Sequence, residues 1–312
     1  MNAEQEKYLG IDVSKESICA FMYPTNEVWT VRNESRYISE WIRTLPKGIK
    51  IAVMEATGKW EEPVAAQLHI AGIPVCVMNP RNIRNFALSI GKLAKTDKVD
   101  AKVIAMFANA VKPTPKKLKD EHETALEELV TRRLQIVDII IEEKNHLVTA
   151  RNNLVKKNVE KNIEWLTKSL DKIDFEIKTL VHESPIWHEK EQILTSVKGV
   201  GPVTASIILA KFPELGSLTG KEAASLAGLA PMSRESGKWK GKSFIQGGRK
   251  HVRKAIFMAT LSAIRFNVVI NTFYQRLKKQ GKPPKVAITA CMRKLVTILN
   301  ALVRDNTCWR FA

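Results

Sequence analysis

A change of hydrophobic period near residue 120 constrains the fold of this chain more than any other feature. Before it, the apolar residues fall in short β-rich runs at Tyr8–Val13, Ile18–Tyr23, Val28–Val31, Ile49–Met54 and Ile73–Met78. Ser35–Leu45 and Glu61–Ala71 lie between them with helical spacing. After it, Val159, Ile163, Leu166, Leu170, Ile173, Ile177 and Leu180 step by 4, 3, 4, 3, 4 and 3 residues. Such a 3.5-residue repeat is the pattern of a coiled-coil seam. Leu126, Val130, Leu134, Val137, Ile140, Leu147 and Leu154 form a less regular stripe upstream, and a polar break at Lys156–Asn158 is expected to join two helices into a hairpin. Periodicity leaves open whether the seam closes within one chain or between two. Dimerisation is favoured, because an isolated hairpin would expose much of the stripe.

The first segment reads as an antiparallel meander of three strands followed by a strand–helix–strand unit with parallel pairing. A further helix is expected over Asp97–Val111, stopped by the KPTP at 112–115. Four acids stand out here. Asp12 in YLGIDVSK and Glu55 in IKIAVMEATGKW lie at the polar ends of apolar runs, where burial gains a carboxylate nothing. Asp97 and Asp100, three apart at a helix start, project from one face. Carboxylates gathered this way repel one another, and a hard cation such as Mg²⁺ relieves the repulsion. Each also has an ordinary explanation, as a turn residue, a helix-start acid or a cap. A mixed sheet with acids on its first and fourth strands and on a late helix is the layout of the RNase H-like fold, here by analogy.

Charge divides the chain further. The net of +18 is +3 over residues 1–115, −1 over 116–185 and +16 over 186–312. So lopsided a basic segment most often meets nucleic acid through phosphate contacts and counterion release. Domains are accordingly expected at 1–115, 116–185 and 186–312. No transmembrane-length apolar run or signal segment is read, and Cys19, Cys76, Cys291 and Cys308 lack CxxC spacing, which fits a reducing cytosol. The histidines show neither HxxxH nor a His/Cys cluster.

The third segment reads as mostly helical. It begins with ILTSVKGVGPVTASIILAKFPEL, which resembles a helix-hairpin-helix, with Gly199 and Gly201 allowing close phosphate approach; a plain helix–turn–helix connection needs the same glycines. After a helix over Lys221–Leu229, a long loop is expected over Met232–Lys254. Its basic residues are Arg234, Lys238, Lys240, Lys242, Arg249, Lys250, Arg253 and Lys254, interleaved with Trp239 and Phe244.

GIDVSK, VMEATG, KTDKVDA, the coiled coil, GVGPVTA, GLAPMSRESGK and GGRKHVRKA, in this order, resemble the DEDD insertion-sequence transposases, the bridge-RNA-guided recombinases. The resemblance covers essentially the whole length. It implies an N-terminal RuvC-like nuclease domain, a helical coiled coil and a C-terminal transposase domain, with Asp12, Glu55, Asp97 and Asp100 as catalytic metal ligands. The family's active serine maps onto Ser236 before Gly237; Ser233 and the more distant Ser243 are fallbacks, since relatives with two adjacent serines differ from the Glu235–Ser236 here. It also implies a structured guide RNA pairing with donor and target double-stranded DNA.

Two mechanisms follow. In one, carboxylates holding two Mg²⁺ ions direct hydrolysis, as in a Holliday-junction resolvase. In the other, Ser236 forms a covalent phosphoserine that conserves the bond for rejoining, with Arg234, Lys238 and Lys240 near the phosphate. The second is favoured, in a homodimer that assembles to a tetramer, with serine and carboxylates shared between subunits, in a prokaryotic, nucleoid-associated cytoplasmic setting without membrane. An actin–hexokinase-type ATPase lacks further glycine-rich phosphate loops here. An architectural DNA protein would have no use for four converging acids.

Overall fold

Two units, Met1–Leu118 and Lys119–Ala312, divide the chain. The computed structural model describes residues 6–92, 97–115, 120–232, 235–236, 239–241 and 244–310, with backbone alone at 97–98, 235–236 and 239–240.

The first unit runs β1 (Lys7–Val13), β2 (Ser17–Tyr23), β3 (Val28–Arg32), α1 (Ser35–Thr44), β4 (Ile49–Glu55), α2 (Glu62–Ile70), β5 (Val75–Met78), α3 (Pro80–Ser89) and α4 (Asp97–Val111). Among the described residues its strands form one mixed sheet in the order β3-β2-β1-β4-β5. The first three pair antiparallel, and β4 and β5 run parallel to β1, as the sequence pattern leads one to expect. The near-continuous apolar content of β1, β2 and β4 follows from burial on both faces. Leu9, Ile11, Ala52 and Met54 pack with Ile38, Trp41, Val64 and Leu68 under α1 and α2. Tyr8, Ile51 and Val53 pack on the other face with Ile83, Ile104 and Phe107 of α3 and α4. α3 was not anticipated. It starts because Asn79 Oδ1 accepts the Arg81 N–H at 2.9 Å and Pro80 supplies a preset first turn.

The second unit runs α5 (Glu121–Thr149), α6 (Asn153–Glu183), α7 (Pro185–Thr195), α8 (Pro202–Lys211), α9 (Gly220–Leu226), β6 (Pro231–Met232), β7 (Glu235–Ser236), β8 (Trp239–Lys240), β9 (Phe244–Ile245), α10 (Lys250–Phe266), α11 (Val268–Lys279) and α12 (Pro284–Arg304). α5 and α6 form an antiparallel hairpin, tied by Arg133 to Asp174 (2.6 Å) and by Asn162 to Glu143 (2.9 Å). Its seam is filled within the chain by Ile136, Ile140 and Leu166. The break falls at 150–152, not at Lys156–Asn158, which lie inside α6. Asn152 decides this, because its side chain accepts from the N–H groups of Leu154 and Val155 and so caps α6. Leu154, expected on the stripe, is 80% exposed.

At the hairpin's root Leu126, Val130, Ile177 and Val181 pack against Ile207, Ala210 and Ala255 of α8 and α10. The expected segments 116–185 and 186–312 are therefore continuous in space. Leu194, Ile208, Ile256, Leu295 and Leu299 are among the residues of the main helical core. α12 proves long and apolar enough to cross a membrane, contrary to the sequence reading, but its apolar stripe is spent on this core. Nor is the segment after Met232 structureless. It folds back as nested antiparallel rungs, Pro231–Met232 against Phe244–Ile245 and Glu235–Ser236 against Trp239–Lys240.

Candidate active site and basic arm

β1 and β4 lie side by side and parallel, with Gly10 registered to Val53 and Ile11 to Met54. Asp12 and Glu55 are the next residues of the two strands, so both backbones reach the same edge of the sheet about 4.8 Å apart. By alternation they share the face that carries Tyr8, Ile51 and Val53, the face covered by α4. Both are half-buried.

α4 is locked onto this edge by a glycine. A Cβ at Gly10 would fall 2.2 Å from the Ala105 backbone nitrogen and 2.3 Å from the Ala101 carbonyl oxygen, so only glycine lets helix and strand approach this closely. Ala101 and Ala105 also pack on Cys19 and Phe21 of β2. At its far end α4 leads into Lys112, whose Nζ is 3.3 Å from Glu6 beside the start of β1. The helix thus runs antiparallel to β1 and sets its N-terminal turn over the end where Asp12 sits. Asp100 precedes Ala101 in that turn and is half-buried; Asp97 opens the helix, described here by its backbone. Elements far apart in sequence therefore carry the backbones of Asp12, Glu55 and Asp100 to the same end of the sheet. Carboxylate oxygens are the ligand type that would suit a hard divalent cation rather than a soft one.

Two residues outside the sequence reading order the loops around this corner. Glu61, 7% exposed, accepts through one oxygen from the Thr57 N–H, the Thr57 hydroxyl and the Lys59 N–H, all at 3.0 Å. It braces the turn directly after Glu55, where Gly58 and Lys59 take positive φ. Asn33 donates to the carbonyls of Ser14 (2.8 Å) and Trp60 (3.1 Å), joining the loops that follow β1 and β4. No spacing or periodicity in the sequence singles out Glu61, because its role depends on the conformation of the loop it braces.

Ser236 lies in the second unit, on the inner rung of the nested arm opposite Trp239. Arg234, Lys238, Lys242, Gly237 and the alternative serines Ser233 and Ser243 lie outside the described residues, and Lys240 is described by its backbone on β8. The basic residues that follow are largely engaged in the fold. Arg249 grips Glu214 with both guanidinium nitrogens at 2.6 Å, donates to the Lys211 carbonyl and stacks over Phe212. Arg253 donates to the Gly247 carbonyl and Lys254 pairs with Asp138 of α5 at 2.7 Å. Lys250 is exposed. Burial, then the charges of Lys211 and Lys250, hold the neighbouring His251 below the usual imidazole range. Gly199 (φ +106°) presses its backbone on Ala263 of α10, which accounts for a glycine there by packing, whereas Gly201 is exposed at the head of α8.

A family model described as a transposase, the DEDD group of IS110 type, matches residues 9–152. A second, described as the transposase IS116/IS110/IS902 family, matches residues 191–275. The chain is 30% identical over 311 residues to a pilin gene-inverting protein of Moraxella lacunata, with 96% of each chain covered. It is 29% identical over 310 residues to the protein of the same name from Moraxella bovis, again with 96% of each covered. An uncharacterized 43.6 kDa protein of insertion element IS110 from Streptomyces coelicolor is 31% identical over 122 residues, 38% of this chain and 30% of that one. With the four acids in the first matched region, the basic arm in the second and a relative aligned almost end to end, the chain belongs to the IS110-type DEDD transposases and is a DNA transposase/recombinase.

Proposed function

We propose that this protein cuts and rejoins DNA by a serine-mediated exchange at a RuvC-like, Mg²⁺-dependent carboxylate site. The observation that carries the reading is the placement of Asp12 and Glu55 on adjacent parallel strands under the α4 turn that bears Asp100. Asp12, Glu55, Asp97 and Asp100 would hold two Mg²⁺ ions. When bound, these supply charge neutralisation at the phosphate and a lowered pKa for an attacking hydroxyl. Ser236 Oγ attacks phosphorus, loses its proton and displaces a deoxyribose oxygen, which leaves as a free hydroxyl. The phosphoserine conserves the ester; the hydroxyl of the exchanged strand attacks it, releases Ser236 and restores a phosphodiester. Hydrolysis would lose that bond, and religation would need a separate energy source.

The Moraxella relatives are named for inverting a pilin gene. Inversion and transposition differ in how two DNA sites are arranged, not in this chemistry, so the same exchange serves either outcome. A structured RNA pairing with both DNA sites would supply sequence choice, and exposed Lys250, Gly201 and the arm residues Arg234, Lys238, Lys240 and Lys242 would meet phosphates. We place the protein in a prokaryotic cytoplasm as a homodimer assembling to a tetramer. Ile141, Trp165 and Phe175 remain exposed on the hairpin and suit such an assembly.

The test uses purified protein, co-purified RNA and DNA carrying both sites. Ser236→Ala is expected to abolish strand exchange and the covalent protein–DNA adduct while retaining DNA and RNA binding. Asp100→Asn is expected to abolish Mg²⁺-dependent cleavage with unchanged thermal unfolding. Exchange by Ser236→Ala would transfer the nucleophile to another group. Cleavage without any adduct in the wild type would favour a hydrolytic resolvase instead.

A further inference from the structure

Where the hairpin meets the helical core, two histidines and a glutamate of the second unit converge. His182 lies in the last turn of α6, and His188 and Glu191 stand one turn apart on α7. The sharp Ser184–Pro185 junction folds α7 back so that these side chains face one another. Ser184 both ends α6 and caps α7, accepting from the Trp187 N–H. His182 Nε2 is 3.2 Å from Glu191 Oε2 and His188 Nδ1 is 3.9 Å from the same oxygen. The two imidazoles meet edge-on with centroids 4.5 Å apart. One ligand atom from each of the three residues lies within 4.8 Å of the other two.

We propose that His182, His188 and Glu191 form a binding site for a borderline divalent cation of the Zn²⁺ class, clasping the base of the hairpin to the helical core. Ligand lengths of about 2.0–2.1 Å in a tetrahedron place neighbouring donors roughly 3.3–3.4 Å apart. The separations of 3.2 and 3.9 Å to Glu191 bracket that edge and the two imidazole ligand atoms lie within 4.8 Å, so ring rotation would close the geometry. His188 supplies the second observation. Its Nδ1 is buried and makes no hydrogen bond, while facing the carboxylate. The opposite ring nitrogen, Nε2, is 2.9 Å from the Gln192 side-chain amide. Turned by half a rotation, that amide presents its oxygen to an Nε2–H, which fixes the tautomer with Nδ1 free to ligate. Two imidazoles and one carboxylate are a zinc-type donor set, which Mg²⁺ with its preference for oxygen does not favour. Three protein ligands leave a fourth position for water. Both ends of the clasp belong to well-packed helices, since Val181 and Leu194 beside the site are buried in the core clusters.

The site is separable from the carboxylate site by donor chemistry, which the experiment exploits. Full-length protein is titrated with Zn²⁺, and in parallel with Co²⁺, in the presence of saturating Mg²⁺. One Zn²⁺ is expected to bind per chain, to raise the thermal unfolding temperature, and in the Co²⁺ form to give the strong visible absorption of a tetrahedral nitrogen–oxygen site. His182→Ala, at a half-exposed position that tolerates truncation, is expected to weaken binding by more than about 100-fold, and Gln192→Ala by about 10-fold through lost orientation of His188. Glu191→Gln provides an independent variant that keeps the side-chain volume and loses the tetrahedral spectrum. Asp12→Asn with Asp100→Asn is expected to leave the Zn²⁺ stoichiometry unchanged. The proposal is overturned if no Zn²⁺ binds under saturating Mg²⁺, or if the stoichiometry and spectrum survive in His182→Ala.

Discussion

Glu61 shows how a single buried carboxylate can organise the loop that follows a candidate site residue, Glu55. Its three hydrogen bonds satisfy two backbone N–H groups and a hydroxyl in the turn that leaves β4 immediately after Glu55. Truncation leaves those donors without the acceptor they share, part-buried at the foot of the turn. Glu61→Ala is expected to destabilise the protein by roughly 2–3 kcal/mol in urea unfolding. DNA cleavage should fall as well, and Glu61→Gln should recover part of both because its carbonyl oxygen still accepts. Equal unfolding midpoints for Glu61→Ala and wild type would remove this role. In the sequence Glu61 only opens the helical stretch Glu61–Ala71, since hydrogen bonds to one's own loop depend on loop conformation, and periodicity carries no information about that. Asp12 and Glu55 were legible for the opposite reason. An acid ending an apolar strand announces itself by contrast with its neighbours.

Among the elements, the hairpin gives the clearest separation of pattern from placement. The repeat identified α6, and the less regular stripe α5, as packed helices, and the repeat included Leu166, which is 4% exposed and packs with Ile136 and Ile140. Leu166→Ala removes side-chain volume at a site held by helices on both sides. It is expected to cost about 2–5 kcal/mol in thermal or denaturant unfolding. A loss near zero would mean that the hairpin melts independently of the rest. The position of the turn was not legible, because the Lys156–Asn158 polar run is compatible with a solvated helix face, whereas the stop depends on Asn152 capping two N–H groups. α3 was missed for a similar reason: ten residues with a single buried side chain, Ile83, leave almost no periodic signal.

For the molecule as a whole, the first unit carries a pH-sensitive tie between its sheet and α4. The hydrogen bond from the Tyr8 hydroxyl, then Lys112 and Lys50, hold the Glu6 carboxyl down at about 2. The same carboxylate raises both Tyr8 and Lys112 above their ordinary values. A depressed folded value means that the unfolded chain takes up the proton first, so this contribution is complete above the ordinary value of 4.5 and is lost as pH falls from there towards 2. Glu6 is exposed, so solvent screens the effect and it is expected to be small. The check is the difference in unfolding temperature between wild type and Glu6→Gln. It should be constant above about pH 5 and shrink on acidification; a difference that grows in acid would contradict the assignment.

By itself, the sequence determined the class of the longer segments, because apolar patterning reports local geometry directly: short β-rich runs for the central strands, a period near three and a half for α6 of the hairpin. It also determined the charge asymmetry and the acids at strand ends, which depend on composition alone. Tertiary structure decided what meets what. The gap a missing Cβ leaves at Gly10 is what allows α4 to seat its acidic turn over Asp12. The nesting of the basic arm arises from strand pairing, the engagement of Arg249 from Glu214 arriving on a different element, and the approach of His182 to His188 from a bend at Pro185. Each is a contact between residues whose spacing along the chain has no regular period. Only the folded backbone sets the distance across which such side chains interact.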